Sequence, residues 1–194
     1  AGETKTEVPF VEFRNVTFGY EEHVVLEHRN FQVMDGEQIT LSGRTGAGKS
    51  TVLKLLLGLY EPQKGEVLIH GIPAVQISAE ERRMLFGYVE QTFHMVPGTV
   101  RDQITLFDER ITEIQIRKAA ELTGLQETIE KLEHGYDTIC TPEIFSQGQW
   151  QLLSIARAVV AQPSLLLLDE ITANLDAETE KMVLQALRRA AEHR

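Results

Sequence analysis

The segment Gly43-Arg44-Thr45-Gly46-Ala47-Gly48-Lys49-Ser50 could bind phosphate, because it matches the pattern G-x-x-x-x-G-K-[ST]. Its glycines allow successive backbone N–H groups to turn inward around an anion, since no Cβ atom blocks the approach. A helix expected from near Lys49 adds its positive N-terminal end. Lys49 is predicted to reach the β- and γ-phosphates, and the Ser50 hydroxyl to take one Mg²⁺ position. The predicted phosphate site extends to Thr51.

The sequence around this pattern favours the phosphate site over a glycine-rich turn that is followed by lysine and serine by chance. Residues 37–41 (Glu-Gln-Ile-Thr-Leu) have the composition of a strand, and residues 51–57 that of a helix. Because the pattern needs a strand before it and a helix after it, we expect a strand–loop–helix unit here.

A second element that could do chemistry is Asp169-Glu170, which follows four leucines at 165–168. A continuous apolar run suits a strand that is buried on both faces of a mostly parallel sheet. Asp169 is predicted to hold the Mg²⁺ shell, and Glu170 to polarise a water that attacks a γ-phosphate. Alone, such a run is often only a strand that meets solvent, but together with the phosphate-binding pattern it favours catalysis.

Between these elements lies Phe145-Ser146-Gln147-Gly148-Gln149, which leads into a helical run. It resembles the signature motif of ABC-transporter ATPases, usually L-S-G-G-Q, and the order of the three motifs is that of the family. The resemblance covers nearly the whole chain and implies a P-loop NTPase fold. It also implies that Ser146, Gln147, Gly148 and Gln149 contact the ATP held by a second copy, at the start of a helix.

The resemblance assigns three further residues. Tyr20 is similar to the aromatic that stacks on adenine, and Gln91 to the glutamine that senses Mg²⁺ and couples to the transmembrane partner. Asp176, in Ala173-Asn174-Leu175-Asp176, resembles the D-loop residue that crosses the dimer interface. The other interpretations are a strand-end aromatic for Tyr20, a loop amide for Gln91 and a helix N-cap for Asp176; for Asp176 both roles are compatible.

The chain departs from the family pattern at several positions. Gln147 replaces the first signature glycine, Phe145 replaces the leucine, and Ile171 stands where proline is frequent. Only residues 139–144 separate the Gly-Tyr-Asp-Thr element (135–138) from the signature, so the Gly-Glu-x-Gly stretch of exporter-type relatives is missing. Because Ser146 and Gly148 are kept, we interpret the motif as a tolerated variant.

The family also has a switch histidine at the end of a later strand, and the sequence is expected to stop before it. His193 follows a charged helical stretch and not a buried strand. We therefore predict that His193 is an exposed residue at a helix end, where basic side chains are favoured.

Composition indicates a single globular domain: 194 residues, 42% of them hydrophobic. The net charge of −10 argues against a nucleic-acid surface, which relies on Lys and Arg. No apolar run approaches the roughly 18 residues that span a bilayer, and no signal peptide is recognisable. The single cysteine, Cys140, forms no internal disulfide and has no clustered partners for a protein metal site.

The predicted fold class is α/β, with a mostly parallel core sheet, an antiparallel β flank and an inserted helical subdomain. Residues 1–7 are interpreted as a linker or an expression remnant, and 8–194 as one ATPase domain that is incomplete at its C-terminus. Its core covers about 8–98 and 162–194, and its helical subdomain about 99–161. The flank is expected from runs at 11–13 and 65–71, and an amphipathic helix from 111–122.

Residues 91–104 and 135–138 resemble exporter-type ABC domains, so the segment after Gln91 is predicted to receive a transmembrane domain. An ordinary surface loop is the other interpretation. The resemblance implies an ATPase at the cytoplasmic face of a cell membrane that uses ATP with Mg²⁺ and pairs with a second nucleotide-binding domain. The alternatives are a soluble ABC ATPase outside transport, or a regulatory nucleotide-binding domain with weak catalysis.

Overall fold

The computed structural model describes residues 7–41, 46–90, 92–169, 175–192 and 194. The described residues up to Arg82 form one compact unit, and those from Arg83 onward form a second. This boundary differs from the predicted core and helical subdomain, which stay a prediction. The predicted exposed position of His193 lies outside the described residues.

The first unit contains a four-stranded antiparallel sheet. Its strands are β1 (Val11–Tyr20), β2 (His23–Val33), β3 (Lys64–Ile69) and β4 (Ile72–Pro73), in the order β2-β1-β3-β4. Phe13 in β1 pairs with Phe31 on one side and with Val67 on the other. The rings of Phe13 and Phe31 stack at 4.3 Å, and such a cross-strand aromatic pair stabilises the pairing of β1 and β2 at this point. The antiparallel flank predicted from residues 11–13 and 65–71 is confirmed.

The helix after the phosphate-binding pattern is α1 (Gly46–Leu56), which begins three residues before the predicted start at Lys49. It packs against β2 and β3, and its Leu55 is fully buried. α2 (Ala79–Leu85) crosses the boundary between the two units.

Residues 37–41 do not form the expected strand in the described part of the chain. Residues 37–40 are exposed, and Ile39 keeps 52% of its surface accessible. A strand is stabilised by the hydrogen bonds of a partner, and no described strand pairs with this segment. Strand-forming composition alone was therefore a poor guide here.

The second unit is a helical body with a two-stranded parallel sheet. The strands are β5 (Phe86–Val89) and β6 (Leu165–Leu168). The helices are α3 (Val100–Thr105), α4 (Glu113–Thr123), α5 (Gln126–Glu130), α6 (Gln147–Val159) and α7 (Ala177–Ala191). α6 packs against α3, α4, α7 and β5, and its Leu153 and Ile155 are fully buried, so α6 forms the centre of this core.

The predicted amphipathic helix at 111–122 is confirmed as α4. The Thr112 side chain and the Gln115 side chain each accept from the other's backbone N–H, which forms a capping box. Gly124 ends the helix with φ of 76°, a conformation that glycine adopts at little cost.

β6 confirms the strand predicted at 165–168 but is not buried on both faces. Leu167 is buried, whereas Leu168 is 45% exposed. In the part of the chain that the structure describes, β6 has one neighbour, β5, and therefore lies at a sheet edge. Within the described residues, the parallel part of the sheet is the pair of β5 and β6.

None of the described helices is long and apolar enough to cross a membrane.

Candidate nucleotide site

The first turn of α1 carries the predicted phosphate-binding side chains. Gly43, Arg44 and Thr45 lie outside the described residues, and Gly46 and Ala47 begin the helix. Lys49 is half-buried, Ser50 is exposed and Thr51 is 1% exposed. The helix start therefore presents Lys49 and Ser50 beside backbone N–H groups that have no acceptor inside the helix.

Tyr20 lies close to this helix start. Its hydroxyl is 3.4 Å from the Thr51 hydroxyl. Its ring meets Phe18 and Tyr60 edge-on, at 5.2 Å and 5.8 Å between centroids, and the residue is 38% exposed. Tyr20 is thus a strand-end aromatic, as the plainer interpretation predicted. Its role against adenine stays a prediction that this geometry suits, because the residue is close to the start of α1 and partly accessible.

Charge distinguishes two helix starts from the others. Among the α-helices in the described ranges, α1 and α6 have no acidic residue in their first turn. α2, α3, α4, α5 and α7 all have one or two there. Acidic side chains neutralise the positive end of a helix. In an acidic chain, α1 and α6 therefore keep the helix starts that best suit an anion.

The predicted signature residues form the start of α6. Ser146 is the N-cap: its hydroxyl accepts from the Gln149 N–H at 3.2 Å, and the Gln149 side chain accepts from the Ser146 N–H at 2.9 Å. Both side chains are thus engaged inside the helix start. Gln147 is exposed and Gly148 is buried. The N–H groups of these two residues have no intrahelical acceptor and are the groups that the helix offers to an anion.

Gly148 packs against the helix that follows the predicted D-loop. A Cβ atom at Gly148 would collide with the Thr179 Cγ2 methyl of α7. Thr179 is in turn held by Asp176, whose carboxylate accepts from the Thr179 N–H at 2.9 Å and from its hydroxyl at 2.8 Å. These bonds lower the pKa of Asp176. The N-cap role of Asp176 is confirmed, and its role across a dimer stays a prediction.

Three aromatic side chains pack together next to the signature residues. The Trp150 ring stacks on Phe93 at 5.0 Å and meets Phe145 edge-on at 5.0 Å. Phe145 is only 6% exposed. The replacement of the usual leucine by Phe145 is therefore accommodated by packing against Trp150, and it does not disturb the Ser146 cap.

Arg157 fixes the segment after Gln91 to α6. Its guanidinium lies 4.0 Å from the centre of the Phe93 ring and donates to the carbonyl oxygens of Gln103 and His94, at 2.6 Å and 2.9 Å. Burial lowers the pKa of Arg157 to about 10. The Gln103 side chain bonds both the N–H and the carbonyl of Val96. Side chains thus hold residues 93–96 on the second unit.

Asp169 follows β6 and is bound to β5 in two ways. Its N–H donates to the Val89 carbonyl at 3.1 Å, and its carboxylate accepts from the Tyr88 hydroxyl at 3.1 Å. Burial and then the charge of Asp169 raise the pKa of Tyr88 to about 12. Because β5 and β6 are parallel, their carboxyl ends lie at one edge. The neighbouring predicted residues, Gln91 and Glu170, lie outside the described residues.

Sequence reasoning missed Tyr88 and Thr179. Both contact a predicted site residue, Asp169 and Gly148 respectively. A Tyr three positions before Gln91 gave a weak signal, but its partner depends on strand register. Thr179 is three residues after an N-cap aspartate, which is a recognisable capping position. Its contact with Gly148 requires the packing of two helices.

Ser50 in the first unit and Asp169 in the second each fit the ligand chemistry of Mg²⁺. Ser50 and Asp169 offer hydroxyl and carboxylate oxygens, which are the hard ligands that Mg²⁺ prefers. In the described ranges, no group of three or more His, Cys, Asp or Glu side chains could hold a metal.

A family model described as "ABC transporter" matches residues 26–173. A "Probable multidrug resistance ABC transporter ATP-binding/permease protein YheH" of Bacillus subtilis is 41% identical over 91% of this chain and 27% of its own length. The "Mycobactin import ATP-binding/permease protein IrtB" of Mycolicibacterium smegmatis is 38% identical over 96% of this chain and 33% of its own.

A solved structure, "Structure of a bacterial Atm1-family ABC exporter with ATP bound", matches with a TM-score of 0.82 and 34% identity. The match covers 96% of this chain and 33% of that one. The chain therefore spans about a third of the length of these relatives.

Proposed function

The chain belongs to the ABC transporter family, as an ATP-binding domain related to exporter-type proteins, and we propose that it binds and hydrolyses ATP to drive transport. The observation that carries the proposal is the first turn of α1. This turn has no acidic residue, ends with Lys49 and is followed by Ser50 and Thr51, and the Tyr20 hydroxyl lies 3.4 Å from the Thr51 hydroxyl. This arrangement fits phosphates at the helix start with an aromatic ring nearby.

In the proposed bound state, Lys49 pairs with the β- and γ-phosphates, and the amides of the 43–50 loop surround them. Tyr20 stacks on the adenine. Ser50, Asp169 and Gln91 would each contribute to holding Mg²⁺, directly or through water, and the ion would supply charge neutralisation on the phosphates. Glu170 positions the attacking water.

The start of α6 is proposed to close the site of a second copy. The side chains of Ser146 and Gln149 cap their own helix. The start of α6 is therefore proposed to offer backbone N–H groups, first of all that of the exposed Gln147, to the γ-phosphate across the dimer. This arrangement tolerates Gln147, since a backbone donor does not depend on the side chain.

The remaining proposals concern the whole transporter. Its membrane-embedded domain docks on the segment after Gln91, which Arg157 and Gln103 hold in place. This chain works at the cytoplasmic face of a membrane, as part of an exporter. It pairs with a second nucleotide-binding domain and not with nucleic acid. The relationship to a multidrug resistance ATP-binding/permease protein and to an Atm1-family exporter supports this role.

Nucleotide binding is tested with Lys49→Ala. We expect MgATP affinity to fall at least tenfold, about 1.4 kcal/mol or more, because the phosphates lose a direct cation. Isothermal calorimetry measures the change. Lys118→Ala, at an exposed position of α4, removes the same charge and should leave affinity unchanged. Equal affinities for wild type and Lys49→Ala would sink the phosphate-site assignment.

Dimer formation is tested by hydrolysis as a function of protein concentration. Turnover per molecule should rise with protein concentration, because two copies build each site. It should disappear in Glu170→Gln, because Glu170 positions the attacking water. Light scattering of Glu170→Gln with excess MgATP should show a dimer. Turnover that is independent of concentration would contradict the shared site.

A further inference from the structure

We infer that Tyr88 is a positioning residue for Asp169: its hydroxyl holds one carboxylate oxygen, so that the other remains available to the Mg²⁺ shell. The inference rests on the proposed function, in which Asp169 serves Mg²⁺ bound with ATP. The observation that carries it is the 3.1 Å hydrogen bond from Tyr88 Oη to Asp169 Oδ2.

The strand register explains why these two side chains meet. Tyr88 pairs with Leu167, and Val89 pairs with Leu168, in the parallel ladder of β5 and β6. Side chains two residues apart on a strand share a face. Asp169 is two residues after Leu167 and so lies diagonally beside Tyr88, within reach of a long side chain.

The main chain restrains Asp169 as well. Its N–H donates to the Val89 carbonyl, which continues the ladder one residue beyond β6. The backbone bond fixes the Cα position, and the Tyr88 bond fixes the rotation of the carboxylate. A ligand held in this way loses less conformational freedom when a metal binds, and partners of this kind tune metal affinity.

The hydrogen bond from Tyr88 gives the two carboxylate oxygens of Asp169 different roles. The Tyr88 hydroxyl donates one hydrogen bond, and Oδ2 accepts it. Oδ1 is then the oxygen that this hydrogen bond leaves available, and it would serve the Mg²⁺ shell when the ion is bound. The substitution Tyr88→Phe would keep the ring but remove this hydrogen bond, so the Asp169 carboxylate could rotate more freely.

The experiment compares Tyr88→Phe with wild type in this chain. Binding of a fluorescent ATP analogue is measured at increasing MgCl₂ concentrations. It is measured separately in EDTA, without free Mg²⁺. We expect the Mg²⁺ concentration for half-maximal binding to rise about threefold to tenfold. This is at or below the low end of the roughly 10–100-fold range for such partners, because the nucleotide holds most of the metal. Binding in EDTA should be unchanged. A merely structural role would shift both or neither.

Tyr136→Phe is the matched control, since Tyr136 is buried and its hydroxyl has no hydrogen-bond partner in the described part of the chain. It should leave the Mg²⁺ midpoint at the wild-type value. A second variant, Asp169→Asn, should itself raise the midpoint, and adding Tyr88→Phe to it should change nothing more. Circular dichroism checks that each variant is folded.

The outcomes separate the two proposals. An unchanged Mg²⁺ midpoint in Tyr88→Phe, or an equal further shift on the Asp169→Asn background, overturns the role of Tyr88 while nucleotide binding stands. Failure of wild type to bind the ATP analogue at any Mg²⁺ concentration overturns the proposed function, and this inference with it.

Discussion

Gly148 at the start of α6 lies so close to Thr179 in α7 that any side chain at position 148 would strike the Thr179 methyl group. Thr179 cannot turn away freely, because Asp176 binds both its N–H and its hydroxyl. The glycine of the signature is therefore required here by helix packing, whatever contact it also makes with ATP.

Gly148→Ala should destabilise the chain by about 1–2 kcal/mol. The collision costs about 1–3 kcal/mol, and alanine returns up to about 1 kcal/mol of helix propensity. Urea denaturation measures the change. Thr179→Ser removes the colliding methyl but keeps the hydroxyl for Asp176. Gly148→Ala should therefore cost much less stability on the Thr179→Ser background, and an equal loss on both would contradict the contact.

Gln147→Glu should change stability and function in opposite directions. An acidic residue in the first turn stabilises a helix by about 0.3–1 kcal/mol. The same charge would repel a γ-phosphate at the start of α6, so MgATP-driven dimer formation and hydrolysis should fall at least tenfold. Thermal melting and light scattering measure the two effects.

The control for this pair of measurements is Gln185→Glu, the same change at an exposed position in the middle of α7. It should leave dimer formation at the wild-type level. If Gln147→Glu forms the dimer as readily as this control, the start of α6 does not face the phosphate.

Two substitutions at Tyr20 distinguish the contribution of its ring to nucleotide binding from that of its hydroxyl. Its hydroxyl is 3.4 Å from Thr51, a long and therefore weak hydrogen bond. Tyr20→Phe should change MgATP affinity less than about threefold, whereas Tyr20→Ala should lower it at least tenfold, because stacking is worth about 1–3 kcal/mol. Calorimetry decides between them. A large loss in Tyr20→Phe would assign the binding to the hydroxyl instead of the ring.

Arg157→Lys should cost about 1–3 kcal/mol of stability, although it keeps the charge. A lysine cannot donate to two carbonyl groups and also lie flat on Phe93. Arg110→Lys, beside Asp108 on the surface, should change stability by less than about 0.5 kcal/mol. Urea denaturation compares the variants, and equal effects would contradict the anchoring role of Arg157.

Cys140 should be unreactive in the folded chain. Burial, and then the charge of Asp102, raises its pKa from 9.0 to about 11. The unfolded thiol loses its proton first, so this group makes the free energy of unfolding fall as pH rises from about 9 to about 11. At pH 8, Ellman's reagent should react slowly with the native chain and fast in urea. Fast reaction in both would contradict the buried thiol.

Local patterns were predictable because they need only neighbouring residues. The helix after the phosphate-binding pattern, α4 and the Asp176 cap all depend on contacts within four positions. The site order could also be predicted by resemblance, since the motifs stand in family order.

Pairings between distant residues were not predictable. Tyr88 and Asp169 are 81 positions apart, and their contact depends on the register of two strands. The strand expected at 37–41 failed for a related reason: composition favours extended backbone, but a ladder needs a partner. The packing of Gly148 on Thr179 likewise depends on the distance between two helices.

The first turns of α1 and α6 contain no acidic residue, and this affects the rate at which a nucleotide encounters the chain. A chain of net charge −10 repels an approaching nucleotide at long range. A helix start attracts the nucleotide only within about one turn. At an ionic strength that gives a Debye length of about 8 Å, salt screens the long-range repulsion but weakens the short-range attraction much less. We therefore expect moderate ionic strength to reduce the long-range repulsion of ATP more than it weakens the attraction at the helix starts.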